Sequence, residues 1–293
     1  MKRMLVPLDG SQASETALPV AMSIAGGGDY GVTLLSVWEA LEGPRGQDIA
    51  REEDLSQQGV EYLRTYLRAV SERAKDAGMT CETEVRSGHP AVEILTAIGD
   101  LDVAMVVLST HGRRAKAGPR GSVADKVLRA STVPVLAVGP WALGNAPPVQ
   151  FRRLLVPLDG SLASESSLGV ALDLAGTLHA EIDLMSVVPR LFDHYGPGLP
   201  KDYSPDLDRR RENDATTYLE RLQSRHPEFI TETHVVAGLP QVEIPAFLER
   251  FPYDLVVMAS RSRYRADLWT VGGVADLMIE GPLPVVIVPP AAE

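Results

Sequence analysis

Residues 109 to 123, Ser-Thr-His-Gly-Arg-Arg-Ala-Lys-Ala-Gly-Pro-Arg-Gly-Ser-Val, bring together a histidine, three arginines and a lysine with three glycines and no acidic residue. They lie between an apolar run, Val103 to Leu108, and an expected helix, Val123 to Ala130. A strand, a glycine-containing basic loop and a helix opening on Gly-Ser present unpaired backbone N–H groups and a positive helix end to an anion. The chemistry expected of this stretch is phosphate binding. A solvated basic loop is the competing reading for the loop taken alone.

A second polar signal is Val6-Pro-Leu-Asp-Gly-Ser11, which recurs as Val156-Pro-Leu-Asp-Gly-Ser161. Ala13-Ser-Glu recurs as Ala163-Ser-Glu, Ser36-Val37 as Ser186-Val187, and Gly88-His-Pro-Ala-Val-Glu-Ile94 as Gly238-Leu-Pro-Gln-Val-Glu-Ile244. Val133-Pro-Val135 returns as Leu283-Pro-Val285, and every pair keeps an offset of 150 positions. A register held over that distance identifies a tandem duplication. The boundary is expected in Gly139 to Gln150, a Pro/Gly-rich stretch without apolar periodicity. Domains of residues 1–143 and 151–293 follow from it.

The 293 residues suffice for two domains, and 45% apolar with 23% charged residues is a globular composition. A net charge of −11 argues against broad nucleic-acid binding, which depends on Lys and Arg neutralising phosphates. Cys81 is the single cysteine, so no intramolecular disulfide or cysteine zinc site is available, and it reads as a small buried side chain. The N-terminus reaches a charged turn too early for a signal peptide, and no window resembles a membrane span. The expected location is the cytoplasm, without membrane partners.

Each repeat alternates strand and helix. In the first, strands are expected at Arg3–Leu8, Val32–Trp38, Cys81–Arg86, Val103–Leu108 and Val133–Val138. Helices are expected at about Ser14–Ala25, Arg51–Ala77, Val92–Gly99 and after Gly121. Tyr62, Leu63, Tyr66, Leu67 and Val70 form the apolar stripe of the long helix. Continuous runs such as Val103–Leu108 and Leu255–Met258 suit strands buried on both faces. The fold class is therefore α/β, as two tandem doubly wound parallel five-stranded sheets. Ligands of such sheets bind at the carboxyl ends of the strands, which gathers Asp9, Ser36, Val37 and Ser109–Gly112 at one edge.

On these residues, both repeats resemble the universal stress protein family, with its adenine nucleotide alpha hydrolase-like fold. The resemblance covers nearly the whole chain except the linker and the polar stretches Glu39–Ala50 and Pro189–Asp208. Its signature is Val-Pro-x-Asp-x-Ser after the first strand and Gly-x2-Gly-x9-Gly-Ser around the fourth strand and following helix. What it implies is ATP binding, with Mg2+ or Mn2+ accompanying the phosphates. Asp9 and Val37 would face adenosine, while Ser109, Gly112, Gly121 and Ser122 would hold phosphate, with Pro7, Ser11, His111, Arg113 and Val123 beside them. The corresponding residues of the second repeat are Asp159, Val187, Gly272 and Gly273. The family also implies intrachain pseudo-two-fold pairing of the domains through their last strands, and leaves room for a homodimer.

The residue chemistry agrees with these roles. An ionised carboxylate such as Asp9 accepts hydrogen bonds from a ribose hydroxyl or an adenine amine. Glycine lets a backbone approach phosphate closely. Asp-Gly-Ser before a helix is also turn and helix-capping chemistry, so a turn or helix cap is a second reading of Asp9. His111 reads as a hydrogen-bonding or spacing residue rather than a general base. The other histidines are scattered without ligand spacing, so no metal site is expected. Ser109 stands where the motif has its first glycine, and eight rather than nine residues separate Gly112 from Gly121. In the second repeat Ala259-Ser-Arg-Ser262 replaces Ser109-Thr-His-Gly112, and Gly272-Gly273-Val274 replaces Gly121-Ser-Val123. The sequence thus predicts a competent or near-competent first site, a weak or vestigial second one, and binding with little or no hydrolysis. A nucleotide-independent interaction protein of the same fold is the alternative.

Overall fold

The first strand, β1 (Lys2–Pro7), carries Met4, Leu5 and Val6, each 0% exposed. A strand covered on both faces belongs at the centre of a parallel sheet. In the computed structural model, which describes residues 1–39, 49–112, 120–139, 142, 150–190, 205–260 and 273–290, β1 does occupy that position. It pairs in parallel with β2 (Tyr30–Trp38) from Lys2↔Tyr30 to Pro7↔Leu35, and on its other side with β4 (Val103–Ser109). Outside these lie β3 (Cys81–Ser87) and β5 (Val135–Val138), giving the order β3-β2-β1-β4-β5. The strand order therefore reverses between β1 and β4, the place where open α/β sheets take their ligands.

The chain divides into two compact units, Met1–Val149 and Gln150–Glu293. In the second, β6 (Arg153–Pro157), β7 (Glu181–Val188), β8 (Ile230–Ala237), β9 (Leu255–Ala259) and β10 (Val285–Val288) repeat the pattern, in the order β8-β7-β6-β9-β10. All their pairings are parallel. Pro134 and Pro284 sit just ahead of β5 and β10, where a missing donor costs no ladder bond. Their carbonyls accept from Val106 and Val256 N–H at 3.0 and 3.2 Å.

In the first unit the crossovers are α1 (Gln12–Glu15), α2 (Ala17–Ala25), α3 (Ile49–Asp76), α4 (Pro90–Asp100) and α5 (Ser122–Ala130). In the second they are α6 (Leu162–Leu178), α7 (Pro205–Arg225), α8 (Pro240–Arg250) and α9 (Gly273–Glu280). The single helix expected over Ser14–Ala25 is broken at Thr16. Pro19 explains the break, because it has no N–H for the Glu15 carbonyl and its ring crowds that turn. The second repeat has Gly169 at this position, and α6 runs unbroken.

Leu63, Leu67, Val70 and Ala74 form the buried seam of α3, at 5%, 0%, 1% and 5% exposure. Tyr62, expected in that stripe, is instead 66% exposed. Among the described residues no helix is long and apolar enough to cross a membrane.

Candidate functional site

Asp9 follows β1, and the turn it starts is built locally. Its Oδ1 accepts from the Ser11 N–H at 2.9 Å and from the Ser11 hydroxyl at 2.5 Å. Ser11 Oγ in turn accepts from the Ser14 N–H at 3.1 Å and caps α1. Between them Gly10 has φ 80°, a left-handed conformation that favours glycine. Asp9 thus takes part in the turn before the helix, while the cap itself is Ser11. This role does not remove Asp9 from the site, because the residue also lines a cleft at the carboxyl edge of the first sheet.

Neighbouring strand ends are stitched to that turn. Leu8 N–H donates to the Leu35 carbonyl at 2.8 Å, and the buried Ser36 hydroxyl donates to the Leu8 carbonyl at 2.8 Å. After β4, Thr110 N–H donates to the Val138 carbonyl at 2.9 Å. The chain closes on itself where Gly121 N–H donates to the Thr110 carbonyl at 2.8 Å. Gly112 approaches the Asp9 turn so closely that a Cβ there would stand 2.7 Å from Asp9 Oδ2. Glycine at this position lets the loop reach the carboxylate.

The cleft has a volume of about 540 Å³, within the usual range of small-molecule sites. It brings together Pro7, Asp9, Val37, Ser109, His111, Gly112, Gly121, Ser122 and Val123. Ser11 does not line it and serves as the cap beneath. Arg113 lies outside the described residues. Two of the expected phosphate contacts are engaged locally: the Gly121 N–H as above, and Ser109 Oγ, which accepts from the His111 N–H at 3.3 Å. His111 Nδ1 is 2.9 Å from the Thr110 hydroxyl, in keeping with a hydrogen-bonding role.

The structure adds lining residues that the motif does not name: Trp38, Tyr62, His89, Thr110 and Arg120. Arg120 precedes the Gly-Ser that opens α5, and its side chain is only 9% exposed, with Nη2 3.6 Å from Asp125 Oδ1. Asp125 also takes both Arg129 donors at 2.9 Å, which holds its carboxyl below the usual range. Behind the wall, burial and then the hydrogen bond to Glu15 at 3.0 Å push the Tyr66 phenol up, so it remains a neutral donor. Cationic Arg120, the first turn of α5 and acidic Asp9 thus share one cleft whose floor includes Val37, Ile94 and Leu108.

The second unit keeps the turn without change. Asp159 Oδ1 accepts from the Ser161 N–H at 2.9 Å and its hydroxyl at 2.6 Å, Ser161 caps α6, and Gly160 has φ 78°. Val187 is half-buried at the end of β7. Gly273 begins α9, where a Cβ would meet nothing within 4 Å, so packing does not demand the glycine. Gly272 lies outside the described residues.

This unit also holds a polar cluster that sequence reading missed. Asp183, 1% exposed, receives Arg153 Nη2 at 2.6 Å, the Tyr253 hydroxyl at 2.7 Å and the Thr231 hydroxyl at 2.8 Å. His234 Nε2 stands 3.8 Å from Asp183 and 3.5 Å from Glu232. These three are the one set among the described residues whose ligand atoms lie within 4.8 Å of one another, so the histidines are not all scattered. With Arg153 and Tyr253 already on Asp183, the set is part of a polar network centred on that one buried carboxylate. Burial opposes the Arg153 charge, but the Asp183 hydrogen bond and charge outweigh it and raise its pKa. The first unit has Thr33 where Asp183 stands, and Arg3 bonds it at 3.2 Å.

Comparison with known proteins bears on both units. The model of the universal stress protein family matches residues 1–139 and 150–289. Over 148 residues, 46% of this chain and 97% of the relative, the chain is 30% identical to universal stress protein YxiE of Bacillus subtilis strain 168. A universal stress protein structure from Archaeoglobus fulgidus DSM 4304 is similar over 98% of both chains, with TM-score 0.70 and 22% identity. A functionally unknown protein from Pseudomonas aeruginosa PAO1 is similar over 99% of this chain and 93% of its own, with TM-score 0.66 and 17% identity. These two likenesses establish the fold. Two family matches, laid over two units with the same strand order, make this chain a tandem member of the universal stress protein family.

Proposed function

We propose that the first unit binds ATP in the cleft beside Asp9 and that the chain acts as a stress-response regulator in the cytoplasm through binding rather than hydrolysis. The observation that carries this reading is the union, in one cleft, of a carboxylate acceptor, an apolar floor and a cationic end at Arg120 and Ser122. A carboxylate suits ribose or amine donors. Buried guanidinium and a helix start suit phosphate. A divalent ion would be held mainly by the phosphates and water. The net charge of −11 disfavours nucleic acid as a partner. Pairing of the two domains within the chain belongs to the same proposal, and homodimerisation is compatible with it.

A nucleotide-independent role draws on the local use of Gly121 N–H, Ser109 Oγ and Asp9 Oδ1 described above. Calorimetric titration with ATP decides between them. The proposal expects one site per chain, an affinity loss of about tenfold or more in Asp9→Ala, and no loss in Asp159→Ala, with circular dichroism confirming that both are folded. Two equivalent tight sites would contradict the inequality of the halves, and absence of binding would overturn the nucleotide reading.

A further inference from the structure

Gly59 is buried inside α3, in a helical position where glycine is a poor choice. A Cβ on it would stand 2.4 Å from each of Cε2, Cζ2 and Cη2 of Trp38. A point equidistant from three atoms of a six-membered ring lies on the axis of that ring. The indole is therefore laid face-on against the helix, and no residue but glycine leaves room for it. Trp38 lines the cleft, as does Tyr62, which lies three residues after Gly59 on the same side of α3. An aromatic side chain that is 66% exposed at a cleft wall is an unfilled contact surface.

The second unit shows that these residues change as a set. Buried Leu67 and Val70 of α3 correspond to Leu219 and Leu222 of α7, an offset of 152. Ser71 bonds the Cys81 carbonyl at 3.4 Å as Gln223 bonds that of Thr231 at 2.9 Å, the helix residues keeping the offset of 152 and the strand residues that of 150. Gly59 and Tyr62 then correspond to Arg211 and Asp214, and Trp38, at the strand offset of 150, to Val188. Where the first unit has indole over glycine, the second has Arg211 Nη1 donating to the Pro189 carbonyl at 2.7 Å.

We infer that Trp38 and Tyr62, set in place by Gly59, form an aromatic seat for the base of the bound ligand and make the first cleft selective for purine over pyrimidine nucleotides. This rests on the nucleotide-binding reading above. The seat lies at the end of β2, and Arg120 with the start of α5 lies beyond β4. Since β1 separates those strands, base and phosphates would fall on opposite sides of Asp9. Stacking on an aromatic face scales with the overlapped ring area, so the two fused rings of a purine gain more than one.

The test titrates the full chain with ATP, UTP and inorganic tripolyphosphate, using the variants Trp38→Val, Tyr62→Asp and Gly59→Ala. The unaltered chain should prefer ATP to UTP by about tenfold. Trp38→Val and Gly59→Ala should weaken ATP by roughly tenfold to a hundredfold, and leave tripolyphosphate within about twofold. Tyr62→Asp, a surface change that does not threaten folding, should act in the same direction with a smaller loss. Equal affinity for ATP and UTP, an unchanged ATP affinity in Trp38→Val and Tyr62→Asp, or an equal loss of tripolyphosphate overturns this inference alone. Failure of the unaltered chain to bind either ATP or tripolyphosphate overturns the nucleotide reading and this inference with it.

Discussion

The two units share a strand order and a helix-capping turn, yet their distinctive polar chemistry lies at opposite edges of the sheet. In the first, it is at the carboxyl edge, where Asp9, Arg120 and the α5 start face a cleft lined by Trp38 and Tyr62. In the second, it is near the amino ends of the strands, where Asp183 collects Arg153, Tyr253 and Thr231. The centres of the sheets, by contrast, are interchangeable: Met4, Leu5 and Val6 have Leu154, Leu155 and Val156 as counterparts, all 0% exposed. The polar differences between the repeats therefore lie toward the strand ends, exposed in the first cleft and buried at Asp183, while the middle of the central strand keeps its apolar character.

The largest way to break this comparison is to remove the buried carboxylate of the second unit. Asp183→Ala strands the Arg153 guanidinium and the Tyr253 hydroxyl, and should cost the second unit about 3–5 kcal/mol in urea unfolding. Thr33→Ala at the corresponding place in the first unit should cost about 1 kcal/mol. Comparable losses in the two variants would show that the network is not what distinguishes the second unit.

A smaller effect sharpens what the units have in common. Ser11→Ala and Ser161→Ala each delete an N-cap of nearly identical geometry, with the accepted bond at 3.1 Å in both. Each should lose about 1 kcal/mol, as read by thermal or chemical unfolding. Clearly unequal losses would mean that the matching hydrogen bonds carry different weights in the two contexts.

Smallest is a dependence on pH peculiar to the first unit. Asp125 is held below its ordinary pKa chiefly by Arg129, whereas Glu280 stands where the second repeat would need that arginine. A carboxyl depressed by folding stabilises the native state above its unfolded value, near 3.9, and the contribution disappears as pH falls through the lower folded value. Asp125→Asn should thus narrow the difference in stability between neutral pH and pH below about 4. An unaltered acid-unfolding profile would assign that sensitivity elsewhere.

Much of the fold was legible because each central strand is a continuous apolar run and each crossover has its own period. Pro19 shows the limit of periodicity: the apolar spacing of residues 14 to 25 is helical throughout, but one missing N–H divides the segment. The meeting of Asp9, Val37 and Gly112 at one edge was readable from their places at strand ends, though not the reason for Gly112, which is the nearness of Asp9 Oδ2. Tyr62 departs from the expectation because its spacing fits the α3 stripe, while the structure leaves it exposed at the wall of the cleft. The Asp183 network was invisible because Arg153, Asp183, Thr231 and Tyr253 come from four separate segments, and nothing local joins them.

The hydrogen bond from Gly121 to the Thr110 carbonyl ties the start of α5 to the end of β4, and Thr110 is fixed in turn to the sheet by its N–H on the Val138 carbonyl. Helix start and strand end are thus joined through main-chain atoms alone, a tie that leaves the Thr110 and Ser122 side chains open to substitution without uncoupling α5 from the sheet.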